Sequence, residues 1–303
     1  MKTIFLGTPP AAVPVLLRLV GNADVSTVVT RPDRPRGRSR RPMPSAVKIA
    51  ADELGIGVFQ PETSADLQAG LGDRSPFDVG VVVAFGMLIR PETLALPRHG
   101  FVNVHFSVLP RWRGAAPVQR AMLARDTRTG VTLMEMDEGL DTGPVLSTAS
   151  TAIGPHEDAG ALTERLAVLG GVLIERWLPA IVTGRVASTP QDQREAVTAP
   201  KLASHERWVD LSSEPATFLA AVRALSPWPG AWVRHDGGPL RIVLAEIGSI
   251  RLAPGELTVD DGGLHLGVGD GSVRLLEVQP AGKRGMNAMD WLRGLRNGPG
   301  AVS

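Results

Sequence analysis

The sequence predicts an α/β protein in which a doubly wound, mostly parallel sheet precedes a small β-barrel. Strand and helix patterns alternate through the first half, which is typical of a doubly wound sheet with ligands beyond the carboxyl ends of its strands. The run DVGVVVAF at 78–85 is almost wholly apolar, as expected of a strand covered on both faces. After about residue 184 the alternation stops, and short strands separated by Gly, Asp and Pro turns follow.

The elements of the first domain follow from its hydrophobic periodicity. The predicted strands are KTIFLG at 2–7, VSTVVT at 25–30, DVGVVVAF at 78–85, GFVNVHF at 100–106 and TGVTLMEM at 129–136. The predicted helices are 11–20, 44–54, 116–126 and 159–178. We therefore assign residues 1–183 to a first domain with the alternation that a parallel sheet requires.

The second domain is predicted to be different in kind. Its elements are a helix at 215–225 and the strands AWVRH, LRIVLAEI, LHLGVG and VRLLEVQ. The polar run before it has no periodicity, and we assign 184–208 to a linker and 209–303 to the second domain.

Length and composition set bounds on the class of protein. The 303 residues exceed the usual size of one domain, and 43% hydrophobic with 21% charged residues is ordinary for a globular chain. The absence of cysteine excludes disulfides, thiolate metal sites and cysteine nucleophiles, and fits a cytoplasmic protein. No segment approaches the ~18 apolar residues of a membrane span. A formal charge of +1 says little about partners.

Basic charge is concentrated in the segment RPDRPRGRSRRPMP at 31–44. Its prolines exclude a helix or a central strand, so we expect an exposed loop. A dense arginine cluster attracts phosphates and suits a nucleic-acid backbone, although a solvated basic loop is the simpler alternative. Its arginines are Arg31, Arg34, Arg36, Arg38, Arg40 and Arg41. A weaker basic patch near the end of the chain contains Lys283, Arg284, Arg293 and Arg296.

Two polar residues share one face of the apolar strand at 100–106. Side chains i and i+2 of a strand point to the same side, so Asn103 and His105 project together. The irregular turn after the strand at 129–136 holds Asp141. If the two strands are neighbours, the carboxyl end of the second brings Asp141 to the imidazole. The alternative is a pair of satisfied polar groups at a strand end.

An amide, an imidazole and a carboxylate without a covalent nucleophile suit acyl transfer between two bound substrates. The amide and the imidazole can donate to a developing oxyanion, and the carboxylate can hold the imidazole and help to move a proton. No metal-ligand spacing is present, because His105 has no second histidine at strand or helix spacing. GTPP after the first strand lacks the GxGxxG fingerprint, which argues against a dinucleotide site.

These residues resemble the signature of the 10-formyltetrahydrofolate-dependent formyltransferases. Asn103 and His105 match its Asn-x-His element, SVLP at 107–110 follows, and Asp141 stands at the family's separation. The segments FLGTP, RWRGAAPVQRA, MDEGLDTGPVL, SPWPGAW and QPAGKRGM, in order, resemble the members whose acceptor is methionylated initiator tRNA. The resemblance covers most of the chain.

The resemblance implies a Rossmann-like catalytic domain, a barrel similar to an OB-fold, and 10-formyltetrahydrofolate as the formyl donor, with no metal. It implies Asn103, His105 and Asp141 as catalytic residues. It also implies that folate lies against the backbone of AFGMLI, with Met87 and Ile89 nearest the pterin. The folate-contacting residues that it implies are Phe85, Gly86, Met87, Leu88, Ile89, Ser107, Val108, Leu109, Pro110 and Asp141.

For the tRNA partner, the resemblance implies that the arginine loop enters the acceptor stem of initiator tRNA and that basic residues of the second domain follow its backbone. The implied tRNA-binding residues are Arg34, Arg36, Arg38, Arg40, Arg41, Lys283 and Arg284. We expect a monomeric enzyme that formylates the charged tRNA for the initiation of translation.

Two alternatives remain open, and four positions depart from the family's common residues. A formyltransferase with a small acceptor, such as glycinamide ribonucleotide or an amino sugar nucleotide, needs neither the loop nor the barrel. A non-enzymatic RNA-binding protein does not explain the Asn-His-Asp set. The departures are Phe85, Phe106, Val108 and Arg31; Phe106 should point away from His105 and change packing more than chemistry.

Overall fold

The computed structural model describes residues 1–35, 41–236, 238–295, 300 and 302–303. The chain forms two compact units, each assembled from separate stretches of sequence. The first unit comprises Met1–Pro117, Arg128–Ala152 and Thr163–Pro200, and the second comprises Val118–Thr127, Ile153–Leu162 and Lys201–Ser303. The predicted limits of the linker, 184–208, stay a prediction.

The first unit contains a seven-stranded sheet and a separate two-stranded ribbon. The strands are β1 (Lys2–Gly7), β2 (Asp24–Val29), β3 (Arg34–Pro35), β4 (Pro42–Met43), β5 (Val58–Phe59), β6 (Val79–Val83), β7 (Phe101–His105), β8 (Arg128–Glu135) and β9 (Val145–Ala152). The sheet order is β5-β2-β1-β6-β7-β8-β9, and β3 pairs with β4 alone. The first five strands in that order are parallel, whereas β8 and β9 are antiparallel. The predicted mostly parallel sheet is confirmed.

The described residues up to Val182 contain six α-helices. They are α1 (Val13–Val20), α2 (Ala46–Glu53), α3 (Ser64–Gly72), α4 (Pro91–Leu94), α5 (Pro117–Leu123) and α6 (Ala159–Val182). α1 buries Val15, Leu16 and Leu19, and its proline stands in the first turn, where a missing N–H breaks no helical hydrogen bond. α2 is capped by Ser45, whose side chain accepts a hydrogen bond from the backbone N–H of Lys48 at 3.0 Å.

The two central strands that lead to the site are tightly packed against each other. All five residues of β6 are buried. A methyl group added at Gly80 would lie 2.2 Å from a ring carbon of Phe101 in β7. Glycine is therefore required there, because the Phe101 ring occupies the space that a side chain would need. Since β6 and β7 are parallel neighbours, their carboxyl ends lie at the same edge of the sheet.

The elements of the first unit that were not predicted are β3, β4, β5, β9, α3 and α4, and two of them show the physical reason. β9 has the sequence VLSTASTA, in which small polar residues hide the alternation, and it forms by backbone pairing with β8 at the edge of the sheet. α3 has a weak hydrophobic stripe, and its start is fixed by a capping box between Thr63 and Asp66. Local hydrogen bonds, rather than a periodic apolar pattern, define both elements.

The second unit contains an antiparallel sheet. Its strands are β10 (Ala231–His235), β11 (Gly238–Ile247), β12 (Leu257–Asp260), β13 (Gly263–Val268), β14 (Gly271–Pro280) and β15 (Met286–Asn287), and its other helices are α7 (Pro215–Ala224) and α8 (Ala288–Arg293). The order is β10-β11-β14-β13-β12, with β15 paired to β14. Residues Phe218, Leu264 and Val273 are at the centre of its buried core. The separate β module predicted for the second half is confirmed.

In the part of the chain that the structure describes, no helix combines the length and the apolar composition that crossing a membrane requires.

Candidate active site

The site is built around the end of β7, where Asn103 and His105 lie on one face. β8 runs antiparallel to β7, with Val102 opposite Glu135 and His105 opposite Thr132. The carboxyl end of β8 therefore lies beside the start of β7 rather than beside its end. Asp141 instead reaches the site on the loop 136–144, which joins β8 to β9.

The structure brings the three predicted catalytic residues together at the Asp141 carboxylate. Oδ1 accepts a hydrogen bond from Asn103 Nδ2 at 3.1 Å, and Oδ2 accepts one from the backbone N–H of Gly114 at 2.9 Å. Oδ2 also lies 3.5 Å from His105 Nδ1. The side chains of His105 and Asp141 are 6% and 14% exposed. Three nitrogen atoms thus lie around the carboxylate, which is largely shielded from solvent.

The orientation of the imidazole is set by a backbone carbonyl. His105 Nε2 lies 2.9 Å from the oxygen of Trp112. A carbonyl oxygen only accepts hydrogen bonds, so Nε2 carries a hydrogen and Nδ1 is the nitrogen that faces Asp141. Trp112 has a φ of +67°, in the left-handed region. Its neighbour Arg113 is held by a backbone N–H bond to the oxygen of Val197 at 2.8 Å.

The loop that carries Asp141 is shaped by its own hydrogen bonds. Asp137 Oδ1 accepts hydrogen bonds from the Gly139 N–H at 3.0 Å and from Thr142 Oγ1 at 2.7 Å. Asp141 itself has a φ of +54°, a backbone region that non-glycine residues adopt only when their surroundings hold them there.

The predicted folate segment 85–89 follows β6 and lies at the same sheet edge as the end of β7. Its backbone is fixed by hydrogen bonds from Thr8 Oγ1 to the Phe85 oxygen at 2.9 Å and from Ser64 Oγ to the Leu88 oxygen at 2.8 Å. Phe85 and Ile89 are buried in the core, Met87 is half-buried, and Leu88 is 71% exposed. Gly86 has a φ of +76°. Ile89 can therefore offer a ligand its backbone more readily than its side chain.

The segment 107–110 is attached to β8 through one hydroxyl group. Thr132 Oγ1 donates to the Ser107 oxygen at 2.8 Å and accepts from the Leu109 N–H at 3.1 Å. Ser107 and Leu109 are buried, Pro110 is half-buried, and Val108 is the exposed member of the segment. Phe106 is buried, in agreement with a role in packing.

Four contributors to the site were missed from the sequence. They are the Trp112 oxygen, the Gly114 N–H, and the buried side chains of Arg113 and Gln191. Gln191 donates to the backbone oxygens of Asp141 and Gly143. Backbone donors carry no residue-type signal, and Gln191 stands in a polar run that resembles any loop, so a single sequence has no pattern that identifies them.

The arginine loop begins and ends in the exposed ribbon formed by β3 and β4, with Arg34 opposite Met43. Its base is anchored by Asp33, which accepts hydrogen bonds from Lys48 Nζ and Gln60 Nε2, both at 2.8 Å. Arg34 and Arg41 are exposed in the first unit, and Lys283 and Arg284 are exposed in the second. Arg36, Arg38 and Arg40 lie outside the described residues, as does Arg296.

Among the described residues, no group of three or more His, Cys, Asp or Glu side chains is placed to hold a metal ion.

Comparison with known proteins shows the family of the chain. Residues 1–178 match the formyl transferase family, and residues 201–296 match the formyl transferase C-terminal domain. The methionyl-tRNA formyltransferase of Geobacter metallireducens is 40% identical over 304 residues, covering 99% of this chain and 97% of that protein. The methionyl-tRNA formyltransferase of Halorhodospira halophila is 44% identical over 304 residues, covering 99% of this chain and 98% of that one.

Solved structures of low identity share the fold. HypX from Aquifex aeolicus in complex with tetrahydrofolic acid has a TM-score of 0.65 at 18% identity; the match covers 96% of this chain and 47% of HypX, so the chain spans about half of that protein. An N-formyltransferase from Helicobacter canadensis, in complex with folinic acid and dTDP-3-aminofucose, has a TM-score of 0.66 at 16% identity, covering 91% of this chain and 99% of that one. With both domains matched and full-length relatives at 40–44% identity, the chain belongs to the formyl transferase family and, within it, to the methionyl-tRNA formyltransferases.

Proposed function

We propose that the chain transfers the formyl group of 10-formyltetrahydrofolate to the α-amine of methionylated initiator tRNA, for the initiation of translation. The observation that carries the proposal is the Asp141 carboxylate, which contacts Asn103 and lies beside His105. The acceptor follows from the names of the full-length relatives. We also propose that the protein acts as a monomer in the cytoplasm, where charged tRNA is used.

The reaction forms one carbon–nitrogen bond and breaks another. The methionyl amine attacks the formyl carbon, and a tetrahedral intermediate with a negatively charged oxygen results. The bond from this carbon to N10 of the folate then breaks, with one proton lost from the amine and one proton delivered to N10. The site must therefore stabilise an oxyanion and move a proton over a short distance.

Asn103 is the donor that we assign to the oxyanion. One hydrogen of its Nδ2 is directed to Asp141 Oδ1. The second is available to a substrate, since no other acceptor for it lies among the described residues. The bond to Asp141 also fixes which end of the amide points into the site, because a carboxylate can only accept from the nitrogen.

His105 and Asp141 form the pair that we assign to proton transfer. The Trp112 oxygen holds the imidazole with Nδ1 towards Oδ2. At 3.5 Å this contact is loose. Because Nε2 already carries a hydrogen, a proton taken up by Nδ1 gives the imidazolium, and that proton can be shared between the carboxylate and a bound substrate oxygen. Catalytic hydrogen bonds are often long without substrate and shorten when it binds.

The formyl donor is assigned to the sheet edge formed by 85–89 and 107–110. Both segments follow neighbouring parallel strands, and ligands of doubly wound sheets bind at that edge. The HypX structure in complex with tetrahydrofolic acid supports a folate donor for this fold. The exposed side chain of Leu88 and the half-buried Met87 are available to an apolar ring. The scheme includes no metal ion.

The tRNA contact is assigned to the arginine loop and to the exposed basic residues of the second unit. Arg34 and Arg41 flank the part of the loop that would enter the acceptor stem, and Lys283 and Arg284 would follow the phosphate backbone. Arginine pairs with phosphate through two parallel N–H bonds, which fixes orientation as well as charge.

The proposal is tested by incubating the protein with 10-formyltetrahydrofolate and one of four acceptors. These are methionylated initiator tRNA, methionylated elongator tRNA, glycinamide ribonucleotide and an amino sugar nucleotide. We expect formylation of the initiator tRNA at the highest kcat/KM. Formylation of a small amine in preference to the tRNA, or tRNA binding without formyl transfer, would refute the proposal.

A further inference from the structure

The side chain of Gln191 contacts the loop that carries Asp141 from a distant part of the chain. Its Nε2 donates to the backbone oxygen of Asp141 at 3.0 Å and to that of Gly143 at 2.7 Å. The residue is 9% exposed. Two residues earlier, Thr189 exchanges backbone hydrogen bonds with Val145, both at 2.8 Å, at the start of β9. The segment 189–191 is thus hydrogen-bonded to the chain between Asp141 and Val145.

The other end of the Gln191 amide contacts the segment that faces the carboxylate. Its Oε1 accepts hydrogen bonds from Arg113 Nε at 2.9 Å and Nη2 at 2.7 Å. Arg113 is 7% exposed. The residue that follows it is Gly114, whose N–H donates to Asp141 Oδ2. The Gln191 amide therefore connects the backbone of Asp141, through the Arg113 side chain, to the segment whose Gly114 N–H holds the Asp141 carboxylate.

The partners of Gln191 determine the orientation of its amide. Backbone oxygens only accept and a guanidinium only donates, so Nε2 must face the loop and Oε1 must face Arg113. All the donors of the amide are used, and its oxygen accepts twice. Glutamate would lose both donors to the loop, and an apolar side chain would leave the two carbonyls, of which that of Gly143 is buried, and Arg113 without these bonds.

We propose that Gln191 is a positioning residue for Asp141, which sets the place of the carboxylate between Asn103 and His105. The inference rests on the proposed function for its catalytic consequence. Gln191 acts on the geometry of the site, because Asp141 has a φ of +54° and needs its surroundings to hold that conformation. The two hydrogen bonds from Gln191 reach the carbonyl oxygens on either side of residue 142, and they restrain the backbone at that point.

The catalytic test compares Gln191→Met with Gln193→Met. Gln193 is exposed and accepts from Arg113 Nη1 at 2.7 Å, so its replacement also removes a bond to Arg113 but leaves the Asp141 loop untouched. A misplacement of about 1 Å costs on the order of 100-fold in rate. We expect Gln191→Met to lower the single-turnover rate by about that factor, with KM for folate and for tRNA within about twofold, and Gln193→Met to keep the wild-type rate.

A double-variant cycle separates positioning from general support. If Gln191 acts through Asp141, adding Gln191→Met to Asp141→Asn should change the rate by less than about twofold, because the group being positioned is already lost. Equal losses in the wild-type and Asp141→Asn backgrounds would overturn the inference. So would a wild-type rate in Gln191→Met. If Gln191→Met does not fold, Gln191→Glu, which keeps an oxygen for Arg113 and lacks the donors, provides the same comparison.

A measurement without substrate distinguishes failure of this inference from failure of the proposed function. The chain has six histidines, and nitrogen-15 labelling of them reports the His105 ring directly. We expect Gln191→Met to shift the His105 ring signals and Gln193→Met to leave them in place. Unshifted signals in Gln191→Met would overturn the inference whatever the activity. Shifted signals in a protein that does not formylate charged tRNA would retain the positioning role and reject the function.

Discussion

Replacement of Asp141 by asparagine removes a charge while keeping the shape of the side chain. The new amide has one oxygen and one nitrogen where the carboxylate had two acceptors. Its oxygen must face the Gly114 N–H, because that backbone donor cannot turn. Its nitrogen then faces Asn103 Nδ2, and the Asn103 amide has to rotate so that its own oxygen meets the new donor.

The expected loss follows from two consequences of that exchange. The pair that moves the proton is broken, and general acid–base catalysis contributes about 100- to 10,000-fold. The rotated Asn103 also turns its oxygen towards the oxyanion, and a lost oxyanion donor costs about 100- to 1,000-fold. Because the two groups act as a unit, the factors do not multiply. We expect Asp141→Asn to lower the single-turnover rate by about 1,000-fold or more.

The assay is single-turnover formylation of methionylated initiator tRNA at saturating 10-formyltetrahydrofolate, with the dissociation constant of the tRNA measured alongside. Asp137→Asn is the matched control, because it removes a charge from the same loop while the asparagine oxygen can still accept the hydrogen bonds from Gly139 and Thr142. We expect the control to keep most of the rate and both variants to keep tRNA affinity. A rate for Asp141→Asn within about tenfold of wild type, well short of the loss expected for proton transfer, would show that the carboxylate is not part of the chemistry.

Three further predictions concern other parts of the molecule. Asn103→Ala should lower the single-turnover rate by about 100- to 1,000-fold with unchanged tRNA affinity, and a near-normal rate would contradict the oxyanion assignment. Arg34→Ala should weaken tRNA binding and reduce the salt slope by about one, with folate affinity unchanged; an unaltered salt dependence would argue against a phosphate contact. Hydrogen bonds from Arg120 lower the pKa of Glu206 from 4.5 to about 2. Because the folded-state pKa is the lower one, this pair stabilises the second unit above pH 4.5, and the contribution is lost as the pH falls towards 2. Urea unfolding should show a larger difference between wild type and Glu206→Gln at pH 6 than at pH 3, and equal differences would contradict the linkage.

The sequence indicated the residues of the candidate site better than the residues and strands that hold them in place. Strand periodicity placed Asn103 and His105 on one face, and the glycine-rich turn marked Asp141. The direction of β8 was left open, because strand direction is not encoded in the pattern of one strand, and β8 proved antiparallel to β7. β9 escaped prediction since its pairing depends on backbone groups that every sequence has. Gln191 was not predicted, because a long-range hydrogen bond produces no periodic pattern in the sequence. The assignment of the arginine loop, Lys283 and Arg284 to tRNA binding stays a prediction, and Arg36, Arg38 and Arg40 lie outside the described residues.

Residues 112–114 supply opposite polarities to the two ionisable side chains of the site. The oxygen of Trp112 faces the imidazole, and two residues later the N–H of Gly114 faces the carboxylate. A displacement of this short segment changes the environment of the acid and of the base simultaneously, so the two cannot be tuned separately by backbone movement. Both contacts are made by peptide groups of the segment rather than by its side chains. The Trp112 side chain lies against Arg111 at 4.5 Å and makes neither of these two contacts.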